Sequence, residues 1–180
     1  MSNLSPAVAR NLWIGAMVVA STVTTLLLAC ATPFPALAAL AALHVRRTEG
    51  VALMLVAWIA AQITGFGLLH YPIDANSIAW ALALGAAAIG SFFAADVTAK
   101  AMPGAPYVAR MVAGYVTAYV AFKAVVLIGA FALDSGWAAF TPEILLRQFV
   151  RYGLILLGLV AFQRLLTLVG IDGAARPAHA

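Results

Sequence analysis

Residues 33–50 read PFPALAALAALHVRRTEG: two prolines begin a short apolar run, and a pair of arginines follows its end. The run covers residues 34–45, whereas a helix that crosses a membrane needs about 17 to 25 apolar residues. If this run crosses, the arginines after it return to the side of the N-terminal residues. If it enters the membrane and turns back, they lie on the opposite side. The orientation of every later helix depends on this choice.

Five longer apolar runs surround the short one and define the class of protein. They cover residues 12–31, 51–69, 78–95, 108–133 and 144–169. Of the 180 residues, 65% are hydrophobic and 9% are charged, whereas a soluble domain has roughly 25% charged residues. A soluble protein of this size has no interior large enough for so much apolar surface. The sequence therefore predicts an all-α integral membrane protein in which residues 1–180 form a single membrane domain.

The basic residues fall on one side of the membrane if the short run crosses. That side then carries Arg10, Arg46, Arg47, Lys100, Arg110, Arg164 and Arg176. The connections on the other side, 30–34, 70–77 and 134–142, contain no Lys or Arg. Because cytoplasmic loops carry the excess of Lys and Arg, this pattern predicts a compact bundle of six transmembrane helices with both termini in the cytoplasm. The re-entrant alternative for residues 34–45 destroys the pattern.

The end of the first run allows a second interpretation. The sequence LLAC at residues 27–30 resembles a lipoprotein cleavage site, with the run before it as a signal peptide. Cleavage there would leave five spans. The apolar run is long for a signal peptide and only Arg10 precedes it, so we favour a retained first span.

Lys123 is the clearest candidate for a functional residue, because an ionisable group inside a membrane span is costly. It lies about ten residues, or roughly 15 Å, from the end of the fifth run. No acidic residue lies at a comparable depth in the sequence. Tyr119 lies one turn before it, and Gln62 lies in the middle of the third run. We favour a polar cavity at Lys123 over a lysine that snorkels to the interface.

Arg147 and Arg151 form a second candidate site, one helical turn apart near the outer end of the sixth run. Glu143 precedes Arg147 by four residues, which predicts a helix ion pair and leaves Arg151 unpaired. Two guanidiniums on one stripe suit a phosphate or carboxylate, although a purely structural network is the alternative. Tyr71 and Trp80 on the same side are typical of the walls of a binding pocket.

Cys30 and His70 end the first and third runs on the outer side. A histidine in that position is most often an interfacial residue, and metal ligation is the alternative. The sequence has no HExxH, CxxC or CxxCH motif and no acidic pair within a span, so it does not predict an enzyme. Ligand chemistry at Cys30 or His70 remains open. The absence of a GxxxxGK motif assigns any use of ATP to another chain.

Small residues and one longer stretch carry a family resemblance. The size, the six predicted spans and the pattern Ala16-x-x-x-Ala20 resemble the S components of energy-coupling-factor vitamin transporters. The stretch QITGFGLLHYP at residues 62–72, followed by Trp80, is similar to the solitary cobalamin-specific members. The resemblance implies a multi-pass protein of the bacterial inner membrane that binds a vitamin such as cobalamin. It also implies that Ala16 and Ala20 dock on the coupling subunit of an ATPase module, and that Cys30 or His70 is an axial ligand of the corrinoid cobalt.

The sequence thus supports the hypothesis of a membrane-embedded component that binds a small polar solute for uptake. The predicted binding residues are Lys123, Arg147, Arg151, Tyr71, Trp80, Gln62 and Tyr119. The alternative is an accessory or assembly subunit of a larger membrane complex, which binds lipid or a cofactor. Purification distinguishes the two, because a transport component retains a solute or an ATPase module and an accessory subunit retains its parent complex.

Overall fold

A computed structural model describes residues 5–27 and 33–171, and within these ranges the chain is helical without any strand. The helices are α1 Pro6–Leu27, α2 Phe34–His44, α3 Arg47–Gln62, α4 Ala75–Ala101, α5 Tyr107–Leu133 and α6 Pro142–Leu168. A π-helical turn, Ile63–Leu68, continues α3, and a 3-10 turn, Trp137–Phe140, precedes α6. The predicted all-α class is confirmed. Five of the described helices, all except α2, are long and apolar enough to cross a membrane.

The short helix α2 lies at the centre of the bundle, where it contacts α3, α4, α5 and α6. Eight of its 11 residues, Phe34 to Ala41, are buried. Pro35 is tolerated because the first turn of a helix needs no backbone N–H donor, and the alanines that follow let four helices approach closely. At 1.5 Å per residue α2 is about 16 Å long, against about 40 Å for α4, α5 and α6. It therefore fills the centre of only one half of the bundle.

Basic residues gather at the end of the bundle where α2 ends and α3 begins, which we call the cationic end. Arg10 Nε lies 3.1 Å from Glu49 Oε1, so α1 and α3 begin at this same end. Asp96 joins α3 to α4, because Arg47 Nη2 lies 2.6 Å from its Oδ2 and Lys100 Nζ lies 2.8 Å from its Oδ1. The opposite end, where 69–74 and 134–136 connect the helices, is called the cavity end.

The helix α4 is longer than the predicted fourth span. The apolar run covers residues 78–95, whereas α4 extends from Ala75 to Ala101. The part of the helix beyond the run contains Asp96, whose buried carboxylate is paired with Arg47 and Lys100. The other predicted bounds differ from the helix ends by a few residues, except that α1 begins at Pro6 and residues 28–31 of its predicted span lie outside the described residues.

Close contact between helices depends on small residues in α3, α4 and α5. The Cα of Gly50 lies so near the buried ring of Phe92 that a Cβ there would be 2.1 Å from Phe92 Cζ. Between α4 and α5, the Thr98 hydroxyl donates to Thr117 Oγ1 at 3.0 Å. The outward faces of these helices are apolar, with Leu82, Val120 and Ile128 each more than 60% exposed. Such faces match the hydrocarbon interior of a bilayer.

Candidate functional site

A first cavity, the aromatic cavity, lies at the cavity end beyond the N-terminus of α2. Its volume is about 290 Å³. The walls include Phe34, Gln62, Thr64, Tyr71, Ser77 and Trp80. The side-chain amide of Gln62 forms no hydrogen bond with any other described residue, so it is available to a ligand. α2 begins at Phe34, which lines the cavity, so the helix does not extend into this half of the bundle.

The π-helical turn after α3 shapes one wall of the aromatic cavity. The backbone N–H of Leu69 donates to the oxygen of Thr64 at 2.9 Å, and that of Tyr71 donates to Gly65 at 3.1 Å. A Cβ on Gly65 would lie 2.9 Å from the ring of Tyr71, so only glycine lets this ring pack against the turn. Single π-helical turns occur frequently at functional sites. Here the turn places Gln62 and Tyr71 on the same cavity.

Trp80 forms another wall and is held in place by the connection after α5. Its Nε1 donates to Ser135 Oγ at 2.9 Å. Gly136 has a φ of +78°, and a Cβ at this position would lie 2.7 Å from Trp80 Cζ2. Because glycine has no side chain, it allows both the left-handed backbone conformation and the close contact with the indole.

A second cavity, the lysine cavity, has a volume of about 170 Å³ and shares Phe34 and Leu84 with the first. Lys123 lines it and is only 9% exposed. Lys123 Nζ donates to the backbone oxygen of Ala139 at 3.1 Å and lies 5.3 Å from the centre of the Phe140 ring. Among the described residues, no carboxylate is within ion-pair distance of Lys123.

Gln148 and Tyr152 also line the lysine cavity, and the sequence analysis did not identify either. Gln148 Oε1 is buried and has no hydrogen-bond partner within the described residues. The available signal was their spacing: residues four apart on a helix share a face. Gln148 and Tyr152 therefore face the interior together, while Arg147 and Arg151 share the neighbouring stripe.

Tyr119, a predicted binding residue, is engaged in packing between α5 and α6. Its hydroxyl donates to the backbone oxygen of Leu145 at 2.8 Å. One turn earlier, the hydroxyl of Tyr115 donates to the oxygen of Phe149, and the two rings contact each other. The Tyr119 ring lies 6.0 Å from Lys123 Nζ, so it contributes a cation–π contact to the lysine.

Arg147 and Arg151 line neither cavity. Both lie on one face of α6, together with Glu143, Leu146, Val150 and Leu154. The ion pair predicted between Glu143 and Arg147 does not form. An exposed i,i+4 pair contributes only about 0.2–0.5 kcal/mol, which is too little to order two long side chains.

None of the remaining candidate residues that the structure describes lines either cavity. His70 is exposed, has a φ of +55° and does not line either cavity. Cys30 lies outside the described residues. No group of three His, Cys, Asp or Glu side chains within the described ranges is close enough to hold a metal ion. Ala16 and Ala20 are each partly exposed on α1, which packs inward through Trp13 and Met17.

Comparison of the chain with known protein families, with curated proteins and with solved structures finds no match in any of the three.

Proposed function

We propose that this chain is the membrane-embedded substrate-binding component of an uptake system for a small polar solute. The observation that carries the proposal is the buried ammonium group of Lys123, which lines a cavity and has no carboxylate partner among the described residues. A buried cation without an anion is costly in a low-dielectric environment. A solute with a carboxylate or another strong acceptor would supply the missing partner.

The adjoining aromatic cavity supports the same proposal and limits the size of the solute. Tyr71 and Trp80 offer flat walls to a ring or an extended apolar group, and Gln62 offers both a donor and an acceptor. Ligand pockets for drug-sized molecules measure about 300–1,000 Å³. The cavity volume of about 290 Å³ therefore favours a compact solute over a corrinoid, which is a larger macrocycle. An axial role for His70 or Cys30 would require the cavity to widen.

We further propose six spans in the bacterial inner membrane, with both termini in the cytoplasm. Arg10 and Glu49 pair at the cationic end, so the residues between α1 and α3 bring the chain back to the side where α1 begins. The positive-inside rule assigns this end to the cytoplasm. The cavity end then faces outward, where an uptake component meets its solute.

Labelling of single cysteines tests this orientation. In a Cys30→Ala background, we expect Ala75→Cys to react with an impermeant thiol reagent in intact cells. Thr48→Cys and Gly104→Cys should react only after the cells are opened. All three positions are exposed in the structure, so accessibility of the thiol itself is not limiting. Labelling of Thr48→Cys in intact cells would contradict the proposed orientation.

The sequence has no GxxxxGK motif for nucleotide binding, and we propose a partner ATPase module that docks on α1. The exposed stripe of α1 contains Leu12, Gly15 and Val19, flanked by the partly exposed Ala16 and Ala20. Replacing Ala16 and Ala20 by Leu should abolish uptake and leave solute binding intact, because larger side chains prevent close helix contact. The check measures both uptake by cells and solute retained by the purified protein. Loss of folding would show instead that this face packs internally.

Mass spectrometry of the purified protein tests the function itself. We expect a small acidic or carbonyl-containing molecule to be retained after purification in mild detergent and released on denaturation. Retention of a larger membrane complex without any such solute would favour the accessory-subunit alternative.

A further inference from the structure

The lysine cavity is formed between several elements of this chain. Its described lining residues come from α2, α4, α5, the 3-10 turn and α6. Its volume of about 170 Å³ is close to the roughly 150 Å³ of a protein cavity that holds one benzene molecule. The cavity therefore has room for one small solute.

Two polar side chains of the lysine cavity have complementary requirements. Lys123 carries three N–H donors, and one of them donates to the backbone oxygen of Ala139 at 3.1 Å. Gln148 Oε1 is buried and accepts no hydrogen bond from any described residue. A buried acceptor without a donor is costly. A solute that satisfies both side chains needs an acceptor for the ammonium group and a donor for the amide oxygen.

The charge of the cavity selects between kinds of donor. Among its described lining residues, only Lys123 carries a charge. A monoanion brings the net charge of the cavity to zero, whereas a zwitterion adds a second cation and leaves the cavity positive. Like charges at short range repel strongly where the dielectric constant is low. The donor beside the carboxylate is therefore a neutral group such as a hydroxyl.

Most of the remaining lining is apolar. Phe34, Leu84, Phe122 and Val126 line the cavity, and the rings of Phe34 and Phe122 lie 6.2 Å apart. These side chains match a short hydrocarbon tail, because apolar surface gains free energy by leaving water. They offer no partner to a further polar group on the solute.

We propose that the lysine cavity binds a short hydroxy acid, which has one carboxylate, a hydroxyl group beside it and a small apolar tail. The carboxylate accepts from Lys123, the hydroxyl donates to Gln148 Oε1, and the tail contacts Phe34 and Phe122. The cavity is the one that carries the proposed function, and the hydroxy-acid assignment rests on that function.

Three small molecules of similar size test each part of this assignment. 2-Hydroxyisovalerate has the carboxylate, the hydroxyl and a branched tail, isovalerate lacks the hydroxyl, and L-valine has an ammonium group in its place. Isothermal titration calorimetry of the purified protein should show that 2-hydroxyisovalerate binds about 2- to 10-fold more tightly than isovalerate, because one hydrogen bond is added. L-valine should bind more weakly than 2-hydroxyisovalerate. Equal or tighter binding of isovalerate or of L-valine would overturn the assignment.

A variant of Gln148 tests whether this residue provides the acceptor. In Gln148→Met, 2-hydroxyisovalerate and isovalerate should bind equally, because only the contact with the hydroxyl is removed. Gln163→Met is the matched control and should keep the preference for the hydroxyl. Gln163 lies on the same helix, its Oε1 is also buried without a partner among the described residues, and it lines neither cavity. An unchanged preference in Gln148→Met, or a lost preference in the control, would contradict the role of Gln148.

Binding of isovalerate serves as the check that each variant is folded, and the comparison of the three molecules on the unaltered protein needs no variant. Two further outcomes separate a wrong solute class from a wrong function. If the protein binds neither acid but retains another solute that is lost in Lys123→Met, the hydroxy-acid assignment is wrong and the proposed function stands. If it retains no solute and binds none of the three molecules, both are wrong.

Discussion

Replacing Lys123 by Met is expected to weaken solute binding by roughly 10- to 100-fold while leaving the folded protein intact. The methionine fills a similar volume and removes a buried charge, which often leaves stability unchanged or higher. The solute loses its charge-assisted contact, and such contacts contribute about 1.5–3 kcal/mol, or roughly 10- to 100-fold in affinity. The measurement is the molar ratio of co-purified solute to protein by mass spectrometry, with the thermal unfolding of the same sample.

Lys100→Met is the matched control for this experiment, since Lys100 is the other lysine of the chain. It pairs with Asp96 at the cationic end and lines neither cavity, so its solute content should equal that of the unaltered protein. Lys123→Arg keeps the charge but adds bulk to a cavity of about 170 Å³, and it should restore binding only in part. An unchanged solute content in Lys123→Met would reduce Lys123 to a tolerated structural residue.

Replacing Gly50 by Ala is expected to cause the largest loss of stability among single small substitutions. The new Cβ would lie 2.1 and 2.2 Å from two ring atoms of Phe92, which is fully buried between α3 and α4. Overpacking of this kind costs about 1–3 kcal/mol or more. Helix propensity acts in the opposite direction, since alanine is better than glycine by up to about 1 kcal/mol. Because the overlap with the buried ring is severe, we expect the packing cost to exceed this gain and Tm to fall.

Gly158→Ala is the control, because a Cβ at Gly158 has no neighbour within 4 Å. The variant should be as stable as the unaltered protein or slightly more stable, since only helix propensity changes. A second substitution, Phe92→Leu in the Gly50→Ala background, should recover part of the lost Tm by removing the overlapping ring. A Gly50→Ala protein with unchanged Tm would mean that the contact between α3 and α4 is looser than the structure indicates.

The cationic end shows how far charge placement alone can predict the fold. Arg10, Arg47 and Lys100 are far apart in the chain, and the sequence assigned them to one side by the positive-inside rule. In the structure, Arg47 and Lys100 meet on Asp96, and Arg10 meets Glu49 nearby. The sequence did not identify Asp96 as their common partner, because an ion pair between helices depends on how the helices are rotated about their axes.

For the candidate site as well, the sequence predicts properties that lie along the chain, whereas contacts between helices are visible only in the folded protein. The length and composition of the apolar runs predicted the helices. The position of Lys123 within its run predicted how far it lies from the helix end, because this distance is measured along the chain. In the folded protein, Arg147 and Arg151 line neither cavity, whereas Gln148 lines the same cavity as Lys123. The short helix α2 leaves space at the cavity end. These features depend on how the helices rotate and pack against one another. Small residues on several helices control this packing together, so the features cannot be predicted from any single stretch of sequence.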